Sequence, residues 1–393
     1  MDTNTSGRKI YRDSNLRIIF GITLMAVMGV ASITPAFPTI ARDLDISAQK
    51  VGLLITVFTL PGVFLVPVLG VLADRYGRKK VVIPALMLFG VAGGACFFAR
   101  DFHLLLILRF FQGMGGSSLG SINTTLIGDL YEGRQRAAAM GYNASVLSMG
   151  TASYPLIGGA LAALAWHYPF LLSLIAIPIG FLVLLKLKNP EPKKPESMSE
   201  YLHGVWRSIN RQVIGLFFAS LITFIILYGV YLSYFPFLVE IAFNGSPVTI
   251  GLLMSTMSLT TAITSARLGK LSQKFTAKKL LLGGFVLYGS AMAITPYMPT
   301  VWLLLVPTVI FGLGHGVNIP SLLTLMSGFA PLEHRAAFMS MNSMVLRAGQ
   351  TIGPLFIGVF FTLGGIKLAF LSGSALTLIM LLIIAVSLEK DVS

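Results

Sequence analysis

The chain has 393 residues, of which 55% are apolar and only 11% charged, with a formal net charge of +14; soluble domains carry about 25% charged residues. With a mean hydropathy of +0.82, too few charges remain to coat a water-soluble globule of this size, which excludes a soluble enzyme. The chain reads as immersed in lipid, where a spanning helix needs about 20 apolar residues.

Twelve segments meet that length in chain order: 16–38, 51–73, 80–99, 103–128, 138–164, 168–187, 212–240, 248–268, 278–297, 301–327, 336–362 and 366–388. They are continuous apolar runs rather than alternating stretches of about 10 residues, so they read as helices and not as barrel strands. Before the first run stands a charged flank from Arg8 to Arg17. The run itself is too long for a signal-peptide core and no small-residue cleavage site follows, so it stays as the first span. A Pro-rich, charged stretch holding Pro190, Pro192 and Pro195 divides six segments from six. The predicted organisation is a bundle over 1–187, a linker over 188–211 and a second bundle over 212–393. In the linker, Tyr201, Leu202, Val205, Trp206 and Ile209 fall on one helical face, which fits a short interfacial helix anchored by Trp206.

With both termini on the cytoplasmic side, 23 of the 29 Lys and Arg lie in the tails and loops of that side. Arg42, Lys50, Arg100 and Lys367 lie opposite, and Arg109 and Arg347 lie inside segments. This is the positive-inside bias; it places the chain in a cell membrane as a multi-pass protein and accounts for the net charge without a nucleic-acid partner. Cys96 is the single cysteine, so no internal disulfide is available.

The halves repeat at an offset of 199 residues. Gly70–Lys80, GVLADRYGRKK, returns at Gly269–Lys279 as GKLSQKFTAKK. Eleven of the 24 pairs between 136–159 and 335–358 are identical, among them Asn143/Asn342, Gly150/Gly349, Pro155/Pro354 and Gly159/Gly358. Ser47, Val51, Gly52 and Leu54 answer to Ser246, Ile250, Gly251 and Leu253, and Gly113 and Gly115 to Gly312 and Gly314. Six spans is an even number, so both halves enter from one side and are related about the membrane normal. That arrangement puts a substrate site at mid-depth between halves that rock.

In the first motif, Gly70 would let helices approach, Gly77 would permit a tight turn, and Asp74 would cap the next helix or pair with Arg78. This pattern resembles the signature between spans 2 and 3 of the major facilitator superfamily, and the resemblance covers the whole chain. Leu105, Arg109, Gln112, Gly113, Gly115 and Gly116 resemble the family's buried-arginine motif on span 4. Gly150, Tyr154, Pro155, Gly158 and Gly159 are similar to the span 5 signature of its proton-driven drug antiporters, except that Tyr154 stands where glycine is usual. Gly349, Gly353 and Pro354 follow that pattern more closely, on span 11.

The resemblance implies an all-α membrane protein of twelve helices in two six-helix halves. It also implies a charge network of Asp74, Arg75, Arg78, Asp129 and Arg134 that stabilises the outward-facing state. Asp129, Glu240, His315 and Arg109 are candidates for proton coupling; the alternative for Arg109 is hydrogen bonding to neighbouring carbonyls, and a structural role stands equally beside the functional one for His315 and for Arg347. Cavity candidates are Met25, Met28, Arg109, Gln112, Asn123, Tyr228, Tyr231, Tyr234, His315, Asn318 and Arg347. Spanning arginines are costly in lipid and mark a polar cavity, and methionine and aromatic surfaces adapt to varied apolar ligands. No acidic residue lies in the middle of any span of the first half, which argues against cationic drugs. No metal-ligand spacing, cofactor motif or catalytic constellation is present. The expected function is proton-coupled efflux of small amphipathic compounds by a monomer. The alternative is an importer or exchanger of a small organic anion held by Arg109 or Arg347.

Overall fold

A computed structural model describes residues 10–187, 210–329 and 335–388, without the side chains of 335–337. The predicted interfacial helix around Trp206 lies outside the described residues. The described residues form helices: α1 Ser14–Asp43, α2 Ala48–Tyr76, α3 Arg78–Phe98, α5 Gly133–Leu164, α6 Tyr168–Lys186, α7 Arg211–Phe243, α8 Pro247–Ala266, α9 Ala277–Tyr297 and α10 Trp302–Phe329. A last run, Arg335–Ser387, completes the chain. By length and composition, ten helices are able to cross a membrane.

The count differs from twelve at two places, each with a physical cause. The expected fourth segment, α4, is two helices, Phe102–Gly116 and Leu119–Leu130. Between them the Ser117 hydroxyl donates to the Met114 carbonyl at 2.7 Å and the Ser121 hydroxyl to that of Ser118 at 3.1 Å. Such back-bonding beside Gly115 and Gly116 interrupts the helical ladder. The expected eleventh and twelfth segments run on without a polar loop. They part at Gly364 (φ −150°, ψ 22°) and Gly365 (φ 66°, ψ −160°), a backbone that glycine alone adopts readily. We call the parts α11 (335–363) and α12 (366–387).

The repeat has a local structural meaning. Ser47 accepts from the Lys50 amide and Ser246 from that of Thr249, so the same N-cap starts α2 and α8. Asp13 and Asn210 cap α1 and α7 in the same way. At the α2–α3 junction Gly77 adopts φ 95°, so the turn of the first motif is made by glycine, and Asp74 pairs with Arg78 instead of capping.

Two apolar cores form. One gathers side chains from Leu16 to Leu187 with Phe237, the other side chains from Val213 to Leu388. Between them α5 packs along α8 and α2 along α11. Large apolar side chains such as Phe64, Phe98, Leu164, Leu185 and Leu382 stay exposed, a surface that lipid covers. Within α7, Ile226–Tyr234 is a π-helix, in which the Ser233 hydroxyl donates to the Tyr228 carbonyl at 2.7 Å. A methyl group at Gly229 would meet the Gly353 carbonyl at 2.5 Å; α7 and α11 come this close because both positions lack a side chain.

Candidate functional site: the seam between the halves

The loops rich in Lys and Arg (α2–α3, α8–α9) define a basic face, and the α1–α2 and α7–α8 loops lie on the far face. Among the described residues, the hydrogen bonds that join the halves lie toward the far face. Arg42 Nη1 meets Glu240 Oε1 at 2.7 Å. Gln49 Nε2 donates to Thr362 Oγ1 at 3.1 Å and the Leu156 amide to Ser255 Oγ at 3.1 Å. Thr34 Oγ1 reaches Met254 Sδ at 3.8 Å. Thr56 Oγ1 donates to the Thr351 carbonyl at 3.0 Å, and the Thr59 and Thr351 hydroxyls lie 2.9 Å apart. Thr59 is 11 residues into α2, about 17 Å along the helix at 1.5 Å per residue.

Glycines close the same zone. A methyl at Gly159 would press on the Pro247 carbonyl and lie 3.3 Å from Gly251 Cα; one at Gly251 would press on the Pro155 carbonyl. Toward the basic face, methyls at Gly70, Gly141 and Gly269 would meet nothing within 4 Å. The close approach expected at Gly70 is therefore not made among the described residues in this conformation. Among the described residues no hydrogen bond or ion pair joins the halves on the basic side of the Thr59–Thr351 contact.

The sequence candidates separate by position. Arg109 is fully buried inside the first half. Its Nη1 donates to the Gly29 carbonyl at 2.9 Å and to Gln112 Oε1 at 2.6 Å, and its Nε to the Leu54 carbonyl at 3.3 Å. The Phe58 ring covers its guanidinium at 4.2 Å, a favourable cation–π distance. Gln112 passes the connection to Ser173 at 2.8 Å. Arg109 thus ties α1, α2 and α4 together, and Gln112 adds α6. Met25 and Met28 are buried in the same core.

Asn123, Thr23 and Asn143 form a second polar knot. Asn123 Nδ2 donates to the Thr23 hydroxyl, which lies 2.6 Å from Asn143 Oδ1. In the second half the Thr223 hydroxyl donates to Asn318 Oδ1 at 3.1 Å, and Asn342, the repeat mate of Asn143, is buried. Thr23 and Thr223 are not sequence candidates, because at the 199-residue offset Thr23 falls on Ile222.

Tyr231 is stacked between Phe235 and Phe311 at 4.8 and 4.9 Å. Tyr234 stacks on Phe361 at 4.8 Å. Both are buried in the second half. His315 Nδ1 faces the Tyr288 hydroxyl of α9, so its ring is engaged inside that half. Tyr228, in contrast, packs against both cores. Arg347 is half-buried on α11, against Gly62 of α2.

On the basic face Arg78 binds two carboxylates, Asp74 at 2.5 Å and Asp129 at 3.0 Å. Arg75 covers the Tyr76 ring at 5.5 Å, and Arg134 is exposed without an ion pair among the described residues. This network lies wholly in the first half. Of the coupling candidates, Glu240 alone makes an ion pair across the seam. On the far face, Arg100 Nη2 lies 3.3 Å from His167 Nε2. Burial and then the Arg100 charge push the His167 pKa below its ordinary 6.5, against an opposing pull from Asp43.

A family model described as Major Facilitator Superfamily matches residues 19–244 and again 234–393. The chain is 26% identical over 359 residues to "Tetracycline resistance protein, class B" of Escherichia coli, covering 89% of each. It is 26% identical over 355 residues to "Multidrug resistance protein 1" of Bacillus subtilis (strain 168), covering 89% of this chain and 90% of that one. Its fold is similar to that of a bacterial homolog of the human lysosomal transporter Spinster solved in an inward-facing and occupied conformation. The TM-score is 0.77, with 18% identity over 97% of this chain and 96% of that one. The two family matches together cover residues 19–393, across both repeated, separately cored halves: the chain belongs to the major facilitator superfamily.

Proposed function

We propose that this transporter, which is not an enzyme, exports small amphipathic compounds in exchange for protons by alternating access. The observation that carries the reading is the one-sided seal. Two related halves are stitched together from the far face to Thr59 and Thr351, and stand apart beyond. With the basic face in the cytoplasm, as the positive-inside bias requires, both termini are cytoplasmic and this conformation opens inward. The named relatives in tetracycline and multidrug resistance favour the export direction.

Glu240 is a proton-sensitive tie of the far face in this account, beside Asp129, His315 and Arg109 as candidates for carrying the proton across. Its ion pair with Arg42 holds the far-face seam. A proton arriving from outside neutralises Glu240, releases Arg42 and removes one tie that keeps the far face shut. The pair is partly exposed, with side-chain exposures of 65% and 26%, so water reaches it. The Asp74–Arg78–Asp129 network sets the α2–α3 turn against the end of α4 and keeps the first half rigid as it rocks. A single copy holds both halves of the seam, which fits a functional monomer.

The test is uptake of a fluorescent lipophilic compound into everted membrane vesicles from cells expressing the chain. Uptake driven by a pH gradient and abolished by a protonophore supports the reading. Glu240→Gln should then weaken that uptake. Uptake that a protonophore leaves unchanged rejects proton coupling.

A further inference from the structure

We infer that Arg347 is a binding site for the acidic group of the transported compound, so that the substrates are amphipathic acids rather than lipophilic cations. The inference rests on the efflux reading for its direction, but not for its chemistry.

Arg347 sits one turn below Thr351, whose hydroxyl makes the last hydrogen bond that joins the halves. It therefore lies at the apex of the cleft that opens toward the basic face. Its side chain crosses the seam: a methyl at Gly62 of α2 would meet Arg347 Cδ at 3.2 Å and Nε at 3.3 Å. Nη1 of the guanidinium donates to Gln350 Oε1 at 3.2 Å, and Tyr228 of α7 is its electrostatic neighbour.

The other spanning arginine shows what a structural role looks like here. Arg109 is fully enclosed, donates to two backbone carbonyls and a glutamine, and is roofed by Phe58. Arg347 has none of that enclosure. It is half-buried, and Gln350 is the side chain that holds its guanidinium.

Among the described residues no carboxylate pairs with Arg347. Residues 334–388 contain no Asp or Glu, nor do 201–239, nor 46–73. The next carboxylate along α2 from Gly62 is Asp74, 12 residues on, about 18 Å at 1.5 Å per residue, and it is held by Arg78. An arginine at this depth is expensive without a counter-charge. Its planar fork matches a carboxylate, sulfonate or phosphate in bidentate fashion. Beside it, Phe224 and Tyr228 lie one turn apart with ring centroids at 6.0 Å, an apolar surface for the body of the ligand. A cation brought to this site meets like charge and no compensating acid.

The probes are three radiolabelled ten-carbon chains, decanoate, methyl decanoate and decyltrimethylammonium, bound to the purified full chain in a scintillation proximity assay. Decanoate should bind saturably and at least about tenfold tighter than the other two, a difference of about 1.4 kcal/mol. Arg347→Gln should erase that preference, and Arg347→Lys should retain part of it. Equal affinity for all three chains in the wild type overturns the inference, whether or not Arg347→Gln folds. So does a decanoate affinity that Arg347→Gln leaves unchanged. The efflux reading fails separately: decanoate binding that needs Arg347, with no proton-linked transport, removes efflux and leaves this site standing. Proton-linked transport of decyltrimethylammonium without decanoate preference does the reverse.

Discussion

Replacing Gly159 by alanine tests the far-face seam directly. The new methyl would lie against the Pro247 carbonyl and 3.3 Å from Gly251 Cα on α8. Ordinary carbon contacts need about 3.5–4.0 Å, so α5 and α8 must separate by roughly 0.5–1 Å. Backbone cannot swing aside as a side chain does, and overpacking of this kind costs about 1–3 kcal/mol. Only the conformation with a closed far face bears that cost, because in the alternating-access account the seam parts when the protein opens outward. The expected shift toward the outward-open state is therefore about 5- to 150-fold in the population ratio. Spin labels at Lys50→Cys and Val248→Cys, one on each half of the far face, report it by pulsed electron–electron distance measurement in a Cys96→Ser background. Gly159→Ala should enlarge the long-distance population, and Gly141→Ala, whose methyl meets nothing within 4 Å, should leave it unchanged. Equal distance distributions in wild type and Gly159→Ala would refute the reasoning.

Three further outcomes follow from the geometry. Arg109→Ala removes a fully enclosed side chain with three hydrogen bonds and should cost about 2–5 kcal/mol, as large-to-small core changes do; Arg347→Ala should lower the melting temperature far less, and the reverse order contradicts the division of roles. Asp129→Asn breaks a pair whose side chains are 7% and 8% exposed and should cost about 1–3 kcal/mol, since Asp74 still compensates Arg78 while a charged hydrogen bond is lost. Asp74, at 46% exposure, should matter by at most about 1 kcal/mol, which thermal unfolding of the two Asn variants will order. His167 has a folded pKa below its ordinary 6.5, so its contribution is present above pH 6.5 and is lost as pH falls through the folded value. Melting should drop on acidification below pH 6.5, and His167→Gln should blunt that drop; an unchanged pH profile would dismiss it.

The elements that depend on length, apolar content and repetition were legible. Segment positions came from hydropathy, and the 199-residue offset carried even the shared Ser47 and Ser246 caps. What escaped depends on neighbours distant in sequence or on small local geometry. The split of α4 at Ser117–Ser118 leaves hydropathy untouched, and so does the π-helix of α7. The Gly364–Gly365 turn hides because its flanks are apolar on both sides. The two spanning arginines look alike in sequence. They differ because Arg109 points at the Gly29 and Leu54 carbonyls while Arg347 points at a glycine across the seam. Glu240 has no partner near it in sequence; Arg42, 198 residues away, stands opposite it in the fold. The approach expected at Gly70 is absent because it belongs to a closure this conformation has not made.

The central claim is that substrate and proton move against each other through one chain, and purified protein in liposomes tests it most directly. Trapped pH-sensitive dye would follow protons under an imposed gradient while a panel of lipophilic compounds and organic anions is added in turn. One charge moving down 100 mV gains about 2.3 kcal/mol, enough at about 1.4 kcal/mol per tenfold to hold a gradient of roughly 50-fold. The account predicts compound-evoked proton movement that is weakened in Glu240→Gln and a labelled-substrate gradient up to that size. No proton response to any compound, with labelled anion exchanging freely instead, would contradict it.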